Sequence, residues 1–337
     1  MPRGLQCSVI VTYRCNARCF MCDCFKHPTR SEEELGLDVL RRLPAGMSFC
    51  NITGGEPFLR ADLPDLVGEL YKKAKRIVIS TNGSFPEKII ALCEQYPRLG
   101  IRISVEGLSQ ANDAIRGIPH GFDRAMRCLL HLQAAGHPDV GFGMTVQDAN
   151  AADLLPLYRL ARHMGMEFAT ATLHNSFYFR KTDNEVRDKA RVAAALAALT
   201  DEMLHDPSPK TWFRAYFNHG LINYLYGNPR LLPCGMGGDA FFLDPWGDVL
   251  ACNGTPEKLS MGNLHEQSFD EIWRSDRAAR ARESVRRCER SCWMIGSASP
   301  AMRKHFSVPL AWVLAHKLIR RGYALAENSF LPCEAGP

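Results

Sequence analysis

The chain predicts an α/β fold: a parallel sheet of six strands wrapped by helices as a partial (β/α)6 barrel, followed by a smaller hairpin-and-helix segment. Three features carry this expectation. Six short β-branched runs alternate with stretches whose apolar residues recur at helical spacing. Six such units fall short of the eight of a closed barrel, so a lateral mouth is expected. The pattern then breaks at the two prolines of HDPSPK (205–210), and the text beyond it reads as a hairpin.

In chain order, the strands are read at 8–13, 47–53, 76–82, 100–107, 140–147 and 167–174. The helices between them fall at 35–43, 63–74, 86–96, 122–136 and 151–165, and a longer helical stretch covers 184–204. DAFFLDPWGDVLAC (239–252) reads as a hairpin turning at DPWGD, and 268–287 as helix. The resulting organisation is a barrel at 1–206, a hairpin-and-helix domain at 207–299 and a basic amphipathic tail at 300–337.

A formal charge of +5, spread over 337 residues, is too diffuse to argue for nucleic acid. The start, MPRGLQCSVIVTY, lacks the apolar core and cleavage site of a signal peptide, and no apolar run is long enough to span a bilayer, so a cytoplasmic protein is expected. Thirteen cysteines in a reducing compartment point to metal or redox chemistry rather than a disulfide framework.

The densest group is Cys15, Cys19 and Cys22, in the loop after the first strand. Strand carboxyl ends form the active face of parallel α/β architectures, so this loop faces the mouth. Three thiolates can hold three irons of a [4Fe–4S] cube and leave the fourth open. Zinc is the competing reading, with Cys24 or His27 as fourth ligand, and buried structural thiols are the plainest one. Arg14 and Arg18 would lower the thiol pKa values or simply face solvent. Cys7, Cys50, Cys93 and Cys128 fall in strand or helix patterns and read as core.

CNARCFMC (15–22) resembles the C-x3-C-x2-C loop of radical S-adenosylmethionine (SAM) enzymes. The resemblance extends through GGEP (54–57), STNG (80–83) and ISVEGLSQANDAIRG (103–117), each after a strand. It implies a [4Fe–4S] cluster on Cys15, Cys19 and Cys22, with SAM held near Gly54, Gly55, Glu56, Pro57, Ser80, Asn82, Ser104, Glu106 and Arg116. Glu56 is expected to receive the SAM amino group, while Ser104 and Arg116 approach its ribose and carboxylate. The implied chemistry is reductive cleavage of SAM to a 5′-deoxyadenosyl radical that abstracts a substrate hydrogen atom, with electrons from a flavodoxin- or ferredoxin-type partner.

Further on, Cys234 and Cys252 flank the hairpin and Cys288 and Cys292 lie one helical turn apart, which would enclose a second [4Fe–4S] cube; a four-cysteine zinc site competes. MGNLHEQSFDEIWRSD (261–276) resembles the auxiliary-cluster domain SPASM or its shorter form, Twitch. With only Cys333 downstream, one auxiliary cluster and the Twitch form are expected.

A fully ligated cluster suits electron transfer, and the Twitch relatives include an aminocyclitol alcohol dehydrogenase. The expected reaction is therefore oxidation of a small molecule such as a sugar or cyclitol, with the auxiliary cluster as electron acceptor. Asp239, Arg214, His219 and His174 are candidate proton acceptors by neighbourhood alone. The alternative is maturation of a ribosomal peptide by crosslinking or epimerisation. Peptide maturases often carry a fused leader-binding domain before the barrel, whereas the first strand here begins near Ser8; this tilts the expectation toward the small molecule, although such a module can also be a separate chain. An iron–sulfur electron carrier is the third class, and GGEP and AIRG argue against it because a carrier needs no SAM pocket. The stretch 300–326 is basic, without acidic residues, and has an apolar helical face including Leu310, Trp312, Val313 and Leu314. It would pack on the barrel or lie on a membrane.

Overall fold

The computed structural model describes residues 4–319 and 322–325. Nine strands form one sheet: β1 (Gln6–Ile10), β2 (Phe49–Thr53), β3 (Ile77–Thr81), β4 (Gly100–Ser104), β5 (Val140–Val146), β6 (Glu167–Thr172), β7 (Ala240–Leu243), β8 (Asp248–Cys252) and β9 (Leu259–Asn263). Their order is β6-β5-β4-β3-β2-β1-β7-β8-β9. The first six strands are parallel, as the βα repeats require, and β7 adds to the free edge of β1, also parallel. The antiparallel β7–β8–β9 meander is thus continuous with the barrel sheet.

The helices are α1 (Leu37–Arg41), α2 (Leu63–Tyr71), α3 (Pro86–Gln95), α4 (Ser109–Arg116), α5 (Gly121–Ala134), α6 (Leu154–His163), α7 (Lys189–His205), α8 (Pro209–Leu225), α9 (Phe269–Arg274), α10 (Asp276–Arg286), α11 (Ile295–Lys304) and α12 (Ser307–Leu314). Pro209 stands in the first turn of α8, where its missing N–H costs nothing, so HDPSPK separates two helices instead of ending the helical region. The stretch 268–287 is broken at Ser275, which caps α10 through a bond from Ala278 N.

The core runs unbroken from the barrel into the meander, where Phe241, Phe269 and Trp273 meet with ring centroids 5.0–5.9 Å apart. The DPWGD turn is built on buried Asp244, whose Oδ1 accepts from Trp246 N and Asp248 N, with Gly247 at φ +82° completing it. Cys7, Cys50, Cys93 and Cys128 are buried in the core.

Trp293 is the bolt between the cysteine-rich end and the helices. It is fully buried, donates from Nε1 to Phe217 O on α8, and lies against Gly220, where a Cβ would come within 2.2 Å of the indole. Gly220→Ala is therefore expected to destabilise the protein by about 1–3 kcal/mol, read as a lower urea midpoint at unchanged slope.

Candidate active site

The cysteine loop leaves the sheet because its first polar side chains bind locally. Tyr13 N donates to Thr29 Oγ1, and Thr12 Oγ1 donates to Glu34, so the strand ends at Ile10 instead of running on to Tyr13. Arg14 makes a bidentate pair with buried Glu34, Nε to Oε1 at 2.9 Å and Nη2 to Oε2 at 2.7 Å. Its charge is consumed there, and Arg18 is exposed, so neither arginine tunes the thiols. Cys15, Cys19 and Cys22 then turn toward a cavity of ≈ 270 Å³.

The same cavity is lined by Gly54, Gly55, Ser80, Asn82, Ser104, Glu106 and Arg116, each at or beyond the carboxyl end of a strand. Gly54 and Gly55 are small because the cysteine loop lies against them. A Cβ would fall 2.5 Å from Thr12 O at Gly54 and 2.2 Å from Arg14 O at Gly55. That approach is held by Gly55 N to Thr12 O and Glu56 N to Arg14 O, both 2.8 Å.

Glu56 and Pro57 are not among the lining residues. Glu56 is wholly buried, and its carboxylate accepts from Phe58 N (3.1 Å), Thr81 Oγ1 (2.7 Å) and Asn82 N (2.7 Å). Burial raises its pKa. It ties the GGEP turn to the end of β3. Asn82 in turn donates from Nδ2 to Asn16 Oδ1 at 2.8 Å, bracing the cysteine loop from the other side.

Glu106 and Arg116 form a buried ion pair at 3.0 Å, with Glu106 also accepting from Thr145 N at 2.7 Å. Burial pushes the Glu106 carboxyl up. Arg116 Nε is buried with no hydrogen-bond partner. A buried guanidinium with one donor open, on the wall of a cavity carrying three thiols, fits an anionic ligand such as a carboxylate.

The thiols have unequal acidity. Burial pushes Cys15 up to about 12 and raises Cys19, whereas a hydrogen bond with Cys24 holds Cys22 below its usual value. Such thiols lose their protons when a cation supplies the opposing charge. Among the described residues, no three His, Cys, Asp or Glu side chains converge closely enough for a single metal ion. His27 and Cys24 do not complete a tetrahedron, and Cys24 instead donates to Tyr178 O.

The far wall had no motif in the sequence. Leu173 and His174, just beyond β6, and Tyr178 and Phe179 complete the cavity with Phe25 and Met21. Tyr178 OH donates to Gly54 O and meets Thr53 Oγ1. His174 Nδ1 lies 2.9 Å from Thr172 O, which only accepts, so the proton sits on Nδ1 and Nε2 is left as an acceptor. Burial lowers its pKa and keeps the ring neutral.

The other sequence candidates lie elsewhere. Asp239 pairs with Lys304, Arg214 with Glu167 and Phe168 O, and His219 with Tyr323 OH, and none lines the cavity. Each was suggested by neighbourhood in the sequence alone, and each is engaged elsewhere: Asp239 ties the start of β7 to α11, Arg214 ties α8 to β6, and His219, on α8, meets Tyr323. Cys234 and Cys252 flank the β7–β8 hairpin; Cys288 and Cys292 come after it in sequence. Cys252 feels the charge of Cys292 and Cys234, and Cys292 that of Cys234 and Cys288, so the four form one electrostatic group. Because α10 ends at Arg286, Cys288 and Cys292 stand on irregular chain beyond the helix and not on one helical turn. Cys333 lies outside the described residues.

Comparison with known proteins agrees with this geometry. Residues 9–161 match the radical SAM superfamily and residues 234–293 the iron–sulfur cluster-binding domain SPASM. The chain is a radical SAM enzyme with a C-terminal SPASM domain, and the two domains imply SAM, a [4Fe–4S] cluster and auxiliary iron–sulfur clusters. It is 26% identical over 291 residues to Fe-coproporphyrin III synthase of Methanosarcina barkeri, covering 78% of this chain and 72% of that protein. It is 28% identical over 276 residues to the mycofactocin maturase MftC of Mycobacterium ulcerans, covering 79% and 73%. Its fold matches Streptococcus suis SuiB bound to S-adenosylmethionine with a TM-score of 0.62 at 16% identity, over 81% of this chain and 66% of SuiB. SuiB is also known bound to its precursor peptide SuiA.

The Gly55 contact gives a direct test. Gly55→Ala forces the cysteine loop away from GGEP and is expected to weaken SAM binding about tenfold, measured by equilibrium dialysis on reconstituted protein.

Proposed function

We propose that this enzyme carries out a radical modification of a peptide, holding SAM against a cluster on Cys15, Cys19 and Cys22 and an auxiliary cluster on Cys234, Cys252, Cys288 and Cys292. The observation that carries the reading is one wall shared by both cysteine groups. In the segment 175–180, Tyr178 and Phe179 line the cavity, while Phe177 N donates to Thr255 O and Tyr178 N to Asn253 O, immediately beyond Cys252. Arg290, between Cys288 and Cys292, donates to Asn175 O. A substrate lying on this wall touches the cavity on one side and has the auxiliary cysteines behind it.

The peptide assignment reverses the small-molecule expectation and rests on relatives: a maturase among the similar sequences, and a fold neighbour whose substrate is a precursor peptide. When bound, the cluster and SAM supply the 5′-deoxyadenosyl radical that removes a substrate hydrogen atom. The chain's own residues do the rest. Arg116, paired with Glu106, receives a carboxylate through its open Nε. Gly54 and Gly55 let the cysteine loop close against GGEP, with Ser80, Asn82 and Ser104 as polar contacts in the cavity. Phe25, Leu173, Tyr178 and Phe179 exclude water. His174 Nε2 accepts a proton or hydrogen bond from the substrate, the role for which Asp239, Arg214 and His219 are badly placed.

Three outcomes are expected. After replacement of Cys15, Cys19 and Cys22 by alanine, about four irons per chain should remain with a [4Fe–4S] Mössbauer signature, and SAM cleavage should vanish. Cell extract should stimulate 5′-deoxyadenosine formation by the reconstituted enzyme, and protease treatment of the extract should abolish that stimulation. Stimulation that survives proteolysis and passes a small-molecule filter would restore the sugar or cyclitol oxidation. Finally, because burial holds the His174 pKa below 6.5, the acid limb of the substrate-dependent rate should lie below that pH. In His174→Gln the limb should disappear while substrate-independent SAM cleavage persists.

A further inference from the structure

The C-terminal helical segment is only half used by the fold. Its inner face packs on α8: Pro309, Val313 and His316 are buried, Trp312 sits 5.5 Å from Tyr216 edge-on and 4.1 Å from His316, and Phe306 stacks on Phe213 at 5.0 Å. Packing on the body, one of the two readings of the sequence, is therefore present. It leaves a second apolar face uncovered. Phe306 is 52% exposed, Val308 45%, Leu310 36%, Leu314 46% and Leu318 70%. Leu310, Leu314 and Leu318 recur every four residues along α12 and the wider helical turn Ala315–Ile319 that continues it, so they form one stripe.

The charge around the stripe is one-sided. Between Pro300 and Ala326 the sequence carries Arg303, Lys304, Lys317, Arg320 and Arg321 and no Asp or Glu. Arg303 and Lys304 precede the stripe and Lys317 lies beside its last leucine; Arg320 and Arg321 follow in the sequence and lie outside the described residues. Lys304 is partly neutralised by Asp239, and Lys317 donates to Leu204 O. Arg303 is exposed. A second copy of the chain is a poor occupant, because a two-fold contact would set this basic segment against itself without a carboxylate in it to receive the charge. Leucines at the level of lipid tails with arginine and lysine at the headgroups fit an anionic bilayer surface. No described helix is long and apolar enough to cross a membrane, so the contact is peripheral.

We infer that residues 303–318 dock the enzyme on the surface of an anionic phospholipid bilayer, with Leu310, Leu314 and Leu318 inserted among the acyl chains. This inference stands apart from the substrate assignment, since none of these residues lines the cavity.

The test is co-sedimentation of the full-length protein with vesicles of phosphatidylcholine alone or mixed with phosphatidylglycerol. Binding to the mixed vesicles is expected, with loss in high salt and on pure phosphatidylcholine. Leu310→Glu/Leu314→Glu/Leu318→Glu and, separately, Arg303→Ala/Arg320→Ala/Arg321→Ala should each weaken it about tenfold. Because the leucines are solvent-facing, the variants should keep the wild-type urea midpoint, and the lipid and salt dependence of the wild type stands as evidence without them. Failure of the wild type to sediment with anionic vesicles overturns the inference. So does binding that the leucine variant retains, or a dimer that the leucine variant dissolves while vesicles remain unbound.

Discussion

The parallel pairing of β1 on both of its edges is the constraint on which the rest depends. Gln6 to Ile10 align with Phe49 to Thr53 on one side, and Gln6 to Val9 with Ala240 to Leu243 on the other. A strand flanked on both sides has no freedom of register: a one-residue slip would turn Val9 and its neighbours to the opposite face of the sheet and break both sets of pairings. Everything with chemical content is fixed relative to it. The cysteine loop is its continuation, GGEP continues one neighbouring strand, and the hairpin carrying Cys252 begins at the other. Gln6 N donates to Asp239 O, so the link begins at the first residue of β1.

Around that strand the cavity is built from charges that are spent internally before any ligand arrives. Glu34 absorbs Arg14, Glu56 absorbs three donors from β3 and GGEP, and Glu106 takes half of Arg116. Burying a carboxylate costs several kcal/mol unless it is paired or hydrogen-bonded; Glu34 and Glu106 have arginine partners, and Glu56 has three neutral donors. The groups still open include the thiols, Arg116 Nε and His174 Nε2, beside the hydroxyl of Ser104. A site whose other polar groups are already satisfied presents its ligands with few ways to bind, which favours one orientation over many.

Much of this was legible because period and punctuation are local properties. The six parallel strands come from β-branched runs, and the site loops from their position after strand ends. Direction was hidden from the sequence. Glu56 stands in a motif that faces the cavity, but its carboxylate turns away because Thr81 and Asn82 offer donors at the end of β3. Cys288 and Cys292 have helical spacing, but α10 stops at Arg286, where the basic run gives way to chain pinned by Trp293 on α8. The union of the hairpin with β1 was equally hidden, since parallel partners that are far apart in sequence carry no local signature. The wall at 175–180 had no motif at all. Its signal was only its position after the last barrel strand.

That wall also bears on the proposed reaction, because it joins the second cysteine group to the cavity. A purely structural cluster could sit anywhere on the meander. Here the chain on either side of it is bonded to the segment that lines the cavity: Thr255 and Asn253 accept from Phe177 and Tyr178, Arg290 donates to Asn175, and Phe179 O accepts from Asp23 N in the first cysteine loop. A shift of the auxiliary cysteines therefore moves the substrate wall, and a shift of the wall moves the loop that holds Cys22. The cavity wall and both cysteine groups are thus bonded into one unit, the geometry that the proposed radical modification would use.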